Sequence, residues 1–330
     1  MLDMRHVTVR PYDPADGVAV LALQLCYAAR YPGAQVVGPD VYAHPGFEGG
    51  RNILCAVDEA GVLRGYAPFF PGAADAAAGA DIPHRLWAAL KTDPDLPVEA
   101  ARSVADVLLE ALLTRAAEVT AALPPRRTEL TLECVATEKP AIAYALSHGF
   151  VHRASAYAMT RDLAEPIDVV PAPVGIDVCE WKMASPDERD AYLNARNAAF
   201  PESPWTRDGL DYFMTSPHWA VGTTFAAFDG SYLVGNVMVY WDPNRVSERR
   251  GGYTEEIFTL VPWRGRGIAR CLIIRGLEYL RAHGLHEAHL QVRATNEGAL
   301  GLYTSLGYRV MSETLHLARE ISPHSVPSQR

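Results

Sequence analysis

The chain has 330 residues, 49% of them hydrophobic, and a formal net charge of −9 at pH 7. That length allows two domains of roughly 150 residues, each with its own core. The acidic balance argues against nucleic acid or an anionic membrane surface as a partner. Cys26, Cys55, Cys134, Cys179 and Cys271 are odd in number, far apart and without a CxxC pair. They read as reduced core thiols, so neither disulfides nor a metal is expected. No charged-then-apolar leader and no run of about 18 apolar residues occurs, so a cytoplasmic protein without a membrane segment is expected.

In chain order, VTVRPYDPADG (Val7 to Gly17) reads as a strand and a helix start, and Ile53 to Phe70 as a β-hairpin. The segment KTDPDLPVEAAR (Lys91 to Arg102) leads into a helix over Ser103 to Ala122, with Val104, Leu108, Leu112 and Val119 at helical spacing. The strand TLECV and the helix within Ala136 to Phe150 follow. Thr160 to Leu163 then closes this half before a connector stiffened by Pro166, Pro171 and Pro173.

The second half begins with GIDVCEWKMASPDE (Gly175 to Glu188), again a strand and a helix start, with a cap and proline at Ser185-Pro186. An aromatic stretch (Pro201 to Trp219) precedes a second hairpin, Thr224 to Trp241, and a long charged loop, Asp242 to Gly252. A β-prone run, Tyr253 to Leu260, leads through Val261-Pro262-Trp263 and Arg264-Gly265-Arg266-Gly267 into a helix over Ile268 to His283, stopped by Gly284. A strand (Ala288 to Ala294), the segment NEGALGLYTSLGY (Asn296 to Tyr308) and a polar tail (Ser322 to Arg330), expected to fray, complete the chain.

The two halves repeat. Ala136 to Phe150 lies under Ala294 to Tyr308 at a constant offset of 158 residues, and the strands and hairpins before them match in order. The expected fold is α/β (α+β), with two tandem domains at 1–165 and 174–321. Each would have a mixed, mostly antiparallel central sheet flanked by helices, and a flexible tail would occupy 322–330. The first copy reads as degenerate. It has no glycine between Lys91 and Arg102, it carries Asp93, Asp95 and Glu99 there, and it has Glu138 under Asn296 and Ala145 under Tyr303.

In the second copy, glycines at a strand-to-helix turn allow close backbone approach, and the unpaired amides of the first helical turn form an anion site suited to a pyrophosphate. No Lys-Ser/Thr follows the glycines and no acidic residue ends the next strand, so neither a P-loop nor a dinucleotide fingerprint is present. With the motif residues Arg264, Gly267 and Ala269, and with Asn296 and Tyr303 before a closing Leu-Gly-Tyr, the second half resembles the GNAT acyltransferase superfamily. The doubled layout resembles that of the mycothiol synthases, whose substrate is not carried over.

The resemblance implies two tandem GNAT-like domains, with an N-acetyltransferase in the second that moves an acetyl group from acetyl-CoA to a primary amine of a small molecule. Coenzyme A would be the product and no metal would take part. The pyrophosphate would rest on Arg264, Gly265, Arg266, Gly267, Ile268 and Ala269, and the pantetheine arm would lie along Phe258, Thr259 and Leu260 and against Asn296. Tyr303 would be the general acid. Glu255 and Glu256 are the candidate bases; neighbours on a strand point to opposite faces, so only one should reach the acceptor, and Glu255 is chosen unless a bulge exchanges them. Trp205, Tyr212 and Phe213 would wall the acceptor pocket. A non-catalytic acyl-CoA sensor or scaffold, and an acetyltransferase of protein amino termini or lysines, are the alternatives. The assembly expected is a monomer or homodimer.

Overall fold

The computed structural model describes residues 7–74, 79–244 and 249–321. The chain divides into two compact units, residues 1–155 with 312–330, and residues 156–311. The tail at 322–330 and positions 245–248 of the charged loop lie outside the described residues.

In the first unit, β1 (Thr8–Pro11) and α1 (Gly17–Arg30) precede the hairpin β2 (Ile53–Val57) and β3 (Leu63–Gly72). Next come β4 (His84–Ala88), the short β5 (Lys91–Thr92), α2 (Val98–Ala122), β6 (Thr128–Val135), α3 (Lys139–Ser147) and β7 (Val151–Asp162). The sheet runs β1-β2-β3-β4-β6, with β4 and β6 parallel over His84 to Ala88 and the other pairs antiparallel. Val104, Leu108 and Leu112 of α2 recur on one helix face and are fully buried against this sheet. Each such leucine contributes about 2 kcal/mol of burial.

The second unit contains β8 (Asp177–Trp181), α4 (Pro186–Ala199), α5 (Arg207–Met214), α6 (Pro217–Val221), β9 (Thr223–Asp229) and β10 (Tyr232–Tyr240). They are followed by β11 (Gly251–Thr259), α7 (Ile268–Ala282), β12 (Glu287–Arg293) and α8 (Glu297–Ser305). Its sheet runs β7-β12-β11-β10-β9-β8, antiparallel except for β11 against β12. Helix α7 buries Leu272, Ile273 and Leu277 on one face against Val237 and Val239. Gly276 permits the close approach, since a Cβ there would lie 2.8 Å from the Val239 side chain. Helices α4 and α5 cover the opposite face with Tyr192, Leu193 and Leu210 against Met238 and Phe258. A capping box at Ser185 and Glu188 starts α4.

The α/β class with mostly antiparallel sheets flanked by helices agrees with the expectation, and α3 and α8 fall at the 158-residue offset. The division of the chain differs from a cut at 165–173. Residues 156–162 of β7, which follow the first repeat's last helix, pair with β12 in the second unit. The last strand, β13 (Arg309–Ile321), pairs through Thr314–Ile321 with β6 in the first unit. Each repeat's closing strand therefore completes the other unit's sheet, and the first unit is built from two separate stretches of chain.

Candidate active site

Strand β11 pairs with β12 only at Gly251↔Glu287, Gly252↔Ala288 and Tyr253↔His289. Beyond that point β12 stays laddered to β7 as far as Arg293↔Ala156, while β11 has no further pairing with β12 among the described residues. The two parallel strands separate into a wedge. Its origin is local: on the other side of β11 the register passes from Met238↔Glu255 to Asn236↔Phe258, so Glu256 and Ile257 both stand opposite Val237. Glu256 takes the left-handed conformation, φ 49°. This is a β-bulge, which bends its strand and interrupts the alternation of side chains.

The bulge overturns the expectation that Glu255 and Glu256 point to opposite faces. The Glu255 carboxylate accepts a hydrogen bond from the Tyr240 hydroxyl, and Tyr240 packs in the cluster beneath α4 and α5. The Glu256 carboxylate meets Arg196 of α4, with Nε 2.7 Å from Oε2 and Nη2 3.4 Å from Oε1. Both glutamates thus serve the α4 side of the sheet, but they are not equivalent. Glu256 is held in an ion pair with a buried guanidinium. Glu255 has no ion-pair partner among the described residues, and burial pushes its carboxyl group above the usual carboxylate range, with the neighbouring Glu256 charge acting in the same direction.

After Thr259 the chain makes a single 3-10 turn at Val261–Trp263, anchored by the Trp263 indole donating to Asp229 at 2.7 Å. Gly265 and Gly267 follow at φ 78° and 81°, conformations that favour glycine. A Cβ at either position would have no atom within 4 Å, so the turn is an open cup. Helix α7 has no side-chain N-cap, and its first main-chain bond runs from the Cys271 N–H to the Gly267 carbonyl, 3.1 Å. The amides of Ile268, Ala269 and Arg270 therefore have no acceptor within the helix. The Ile268 side chain belongs to the core. Arg264 and Arg266 are exposed and donate to the main-chain carbonyls of Thr259 (3.0 Å) and Val174 (3.3 Å).

Helix α8 supplies two more expected residues. Asn296 Oδ1 accepts from the Ala299 N–H at 3.2 Å and caps the helix. Tyr303 is only 6% exposed, and its hydroxyl has no hydrogen-bond partner among the described residues. Burial pushes it up to about 12. Its ring meets Tyr308 edge-on at 6.1 Å, and the Tyr308 hydroxyl lies 2.7 Å from Thr254 Oγ1, the residue before Glu255. On the other side Tyr240 contacts Phe213 at 5.5 Å, and Phe213 contacts Trp205 at 5.9 Å. One series of contacts therefore links Tyr303, the wedge strand, Glu255 and two aromatic residues of the expected wall. Tyr212 is half-buried on α5. Phe258 is 4% exposed and packed in the core, so only its backbone is available to a ligand; Thr259 and Leu260 continue that stretch of strand.

Three site residues escaped the sequence reading. Arg196 lies on the apolar face of α4, four residues from Tyr192, and a charge in a buried stripe was the available signal. Asn236 interrupts the apolar run of β10 and is fully buried, with Nδ2 donating to the Glu256 carbonyl at 3.3 Å. Tyr240 gives no signal beyond being aromatic. His289 is half-buried with Thr160 at 2.9 Å, whereas His283 and His286 are exposed.

Among the described residues, no group of three or more His, Cys, Asp or Glu side chains is placed to hold a metal ion, and no helix is long and apolar enough to cross a membrane. The acetyltransferase (GNAT) family model matches residues 189–308, from the first turn of α4 to Tyr308. A mycothiol acetyltransferase of Acidothermus cellulolyticus is 30% identical over 295 residues, which cover 84% of this chain and 83% of that protein. Two solved structures share the fold. A GCN5-related N-acetyltransferase from Sphaerobacter thermophilus has a TM-score of 0.71 at 21% identity, with 98% of each chain covered. A tandem GNAT protein from the clavulanic acid biosynthesis pathway has a TM-score of 0.69 at 17% identity, covering 97% of this chain and all of that one (100%). With an open amide cup beside a splayed pair of strands, and a relative matched along most of its length, the chain belongs to the GNAT family of acetyltransferase enzymes.

Proposed function

We propose that the second unit transfers an acetyl group from acetyl-CoA to a primary amine of a small molecule, by direct attack with both substrates bound. The observation that carries this reading is the wedge between β11 and β12 opening directly before a helix N-terminus with unpaired amides. That terminus suits a pyrophosphate, and the open strand edge suits an extended arm that pairs with backbone. The donor supplies the activated acetyl thioester. Glu255 takes the proton of the incoming ammonium, directly or through one water, and its raised proton affinity brings it closer to that task. The amine nitrogen then bonds to the acetyl carbon as the carbon–sulfur bond breaks.

The bulge peptide contributes as well. The Glu256 carbonyl is held by Asn236, and in a trans peptide the following Ile257 N–H points the other way, as a candidate donor to the acetyl oxygen. Tyr303 gives its proton to the departing sulfur; with its pKa near 12 it is protonated throughout the working range. Asn296 stands at the start of the Tyr303 helix, where it orients the pantetheine arm. Trp205, Tyr212 and Phe213 form the acceptor wall, which favours a compact substrate over a polypeptide.

A screen of primary amines with acetyl-CoA, read by release of free thiol, tests the proposal. A small amine should support turnover that collapses in Tyr303→Phe. Turnover with protein amino termini or lysines alone, or thiol release indifferent to Tyr303, would contradict it.

A further inference from the structure

Glu256 is gripped from two elements. Asn236 on β10 holds its carbonyl, and Arg196 on α4 holds its carboxylate. Arg196 is itself 4% exposed, and every contact it makes belongs to the acceptor side of the unit. Its Nη1 donates to the Ser203 carbonyl, and its guanidinium lies 4.9 Å from the Trp205 ring centroid and 5.2 Å from that of Phe200. A buried cation persists only where it is paired and hydrogen-bonded, and a glutamate at φ 49° persists only where its surroundings over-determine it. Arg196 and the bulge satisfy each other.

We propose that Arg196 is a positioning residue for the acetyl transfer: it holds Glu256 in the bulge and neutralises it, leaving Glu255 as the carboxylate that takes the amine's proton. This rests on the reading of Glu255 as the base. The two carboxylates are sequence neighbours on one face of the sheet, so an uncompensated Glu256 charge would raise the proton affinity of Glu255. Around Glu255, Tyr240 of β10 donates to its carboxylate, Tyr253 of β11 stacks on Tyr240, His218 of α6 packs against Tyr240 and His289 of β12 packs against Tyr253. The ion pair with Arg196 compensates the Glu256 charge, so the balance between the glutamates depends on it.

The test is an NMR titration of the full chain carrying glutamate labelled with carbon-13 at the carboxyl carbon. The Glu255 resonance is assigned by its loss in Glu255→Gln. Arg196→Met should raise the Glu255 midpoint by about one pH unit, and Glu256→Gln, which leaves the arginine unbalanced, should lower it. The double variant should return close to the starting value, and Arg196→Lys should stay near it. If Arg196→Met does not fold, the comparison of Glu256→Gln with the double variant still applies, since loss of the cation must raise the midpoint there too. A midpoint that ignores Arg196 in both backgrounds overturns the proposal, because a merely structural role would leave it in place. Failure of the base assignment is seen separately: the acid limb of kcat/KM for an amine found in the screen would survive Glu255→Gln while the NMR shifts behaved as described.

Discussion

The two units are built on one plan and have made opposite use of one place in it. In the second, β11 and β12 part after three paired residues, and the helix that follows the wedge begins at Gly267 with free amides. In the first, the corresponding parallel pair β4 and β6 is laddered over five residues. Beyond it, Lys91 and Glu138 form a buried pair, with Nζ 2.6 and 2.7 Å from the two carboxylate oxygens. The Tyr27 hydroxyl at 2.9 Å and the Val135 N–H at 3.3 Å complete the coordination of Glu138, which stands where the second unit has Asn296. No residue from 91 to 102 has positive φ, α2 carries Glu99 in its first turn, and buried Ala145 replaces Tyr303. The fold therefore survives without the amide cup, and the features that mark a donor site are additions to it rather than conditions of its stability.

This contrast can be broken from either side. The largest effect is expected in the second unit: Tyr303→Phe should lower kcat by about 100-fold or more, with KM for acetyl-CoA changed less than about twofold. Steady-state kinetics with an amine from the screen would show this, and a fall confined to KM would reassign Tyr303 to binding. Next comes the first unit. Lys91→Met strands a buried carboxylate and should cost that unit about 3 kcal/mol, read by hydrogen exchange in β6 and α3, with kcat of the second unit unchanged. Lys91→Met combined with Glu138→Leu should recover most of the loss; a neutral single variant would show that the pair stabilises nothing.

The smallest effect is a shift in a pH profile. A base must be ionised, and the Glu255 pKa is raised, so kcat/KM should fall as pH drops through a value above the usual glutamate range. Tyr303, with its pKa near 12, should impose no alkaline limb below about pH 10. An acid limb within the usual glutamate range would contradict Glu255 as the base.

Much of this was readable in the residues. The repeat was visible because α3 and α8 and their flanking strands keep one spacing, and the cup was visible because glycine is favoured at the φ values found at 265 and 267. The unit boundaries were not, because pairing β7 with β12 and β13 with β6 is a long-range choice that proline-rich punctuation at 166–173 does not reveal. The bulge escaped for a related reason. Strict alternation is the default for a strand, and Glu256 departs from it under the pull of Arg196 and Asn236, which are distant in sequence. Sequence alone therefore reached the backbone cradle, and stopped short of the side-chain contacts that decide between two adjacent carboxylates.

The central claim is that one unit, and only the second, holds the donor on bare amides at Gly267. Calorimetric titration with coenzyme A tests it most directly. The account predicts one molecule bound per chain, and no detectable binding in Gly267→Asp, where a carboxylate enters the cup. Two molecules per chain, or unchanged affinity in that variant, would contradict it.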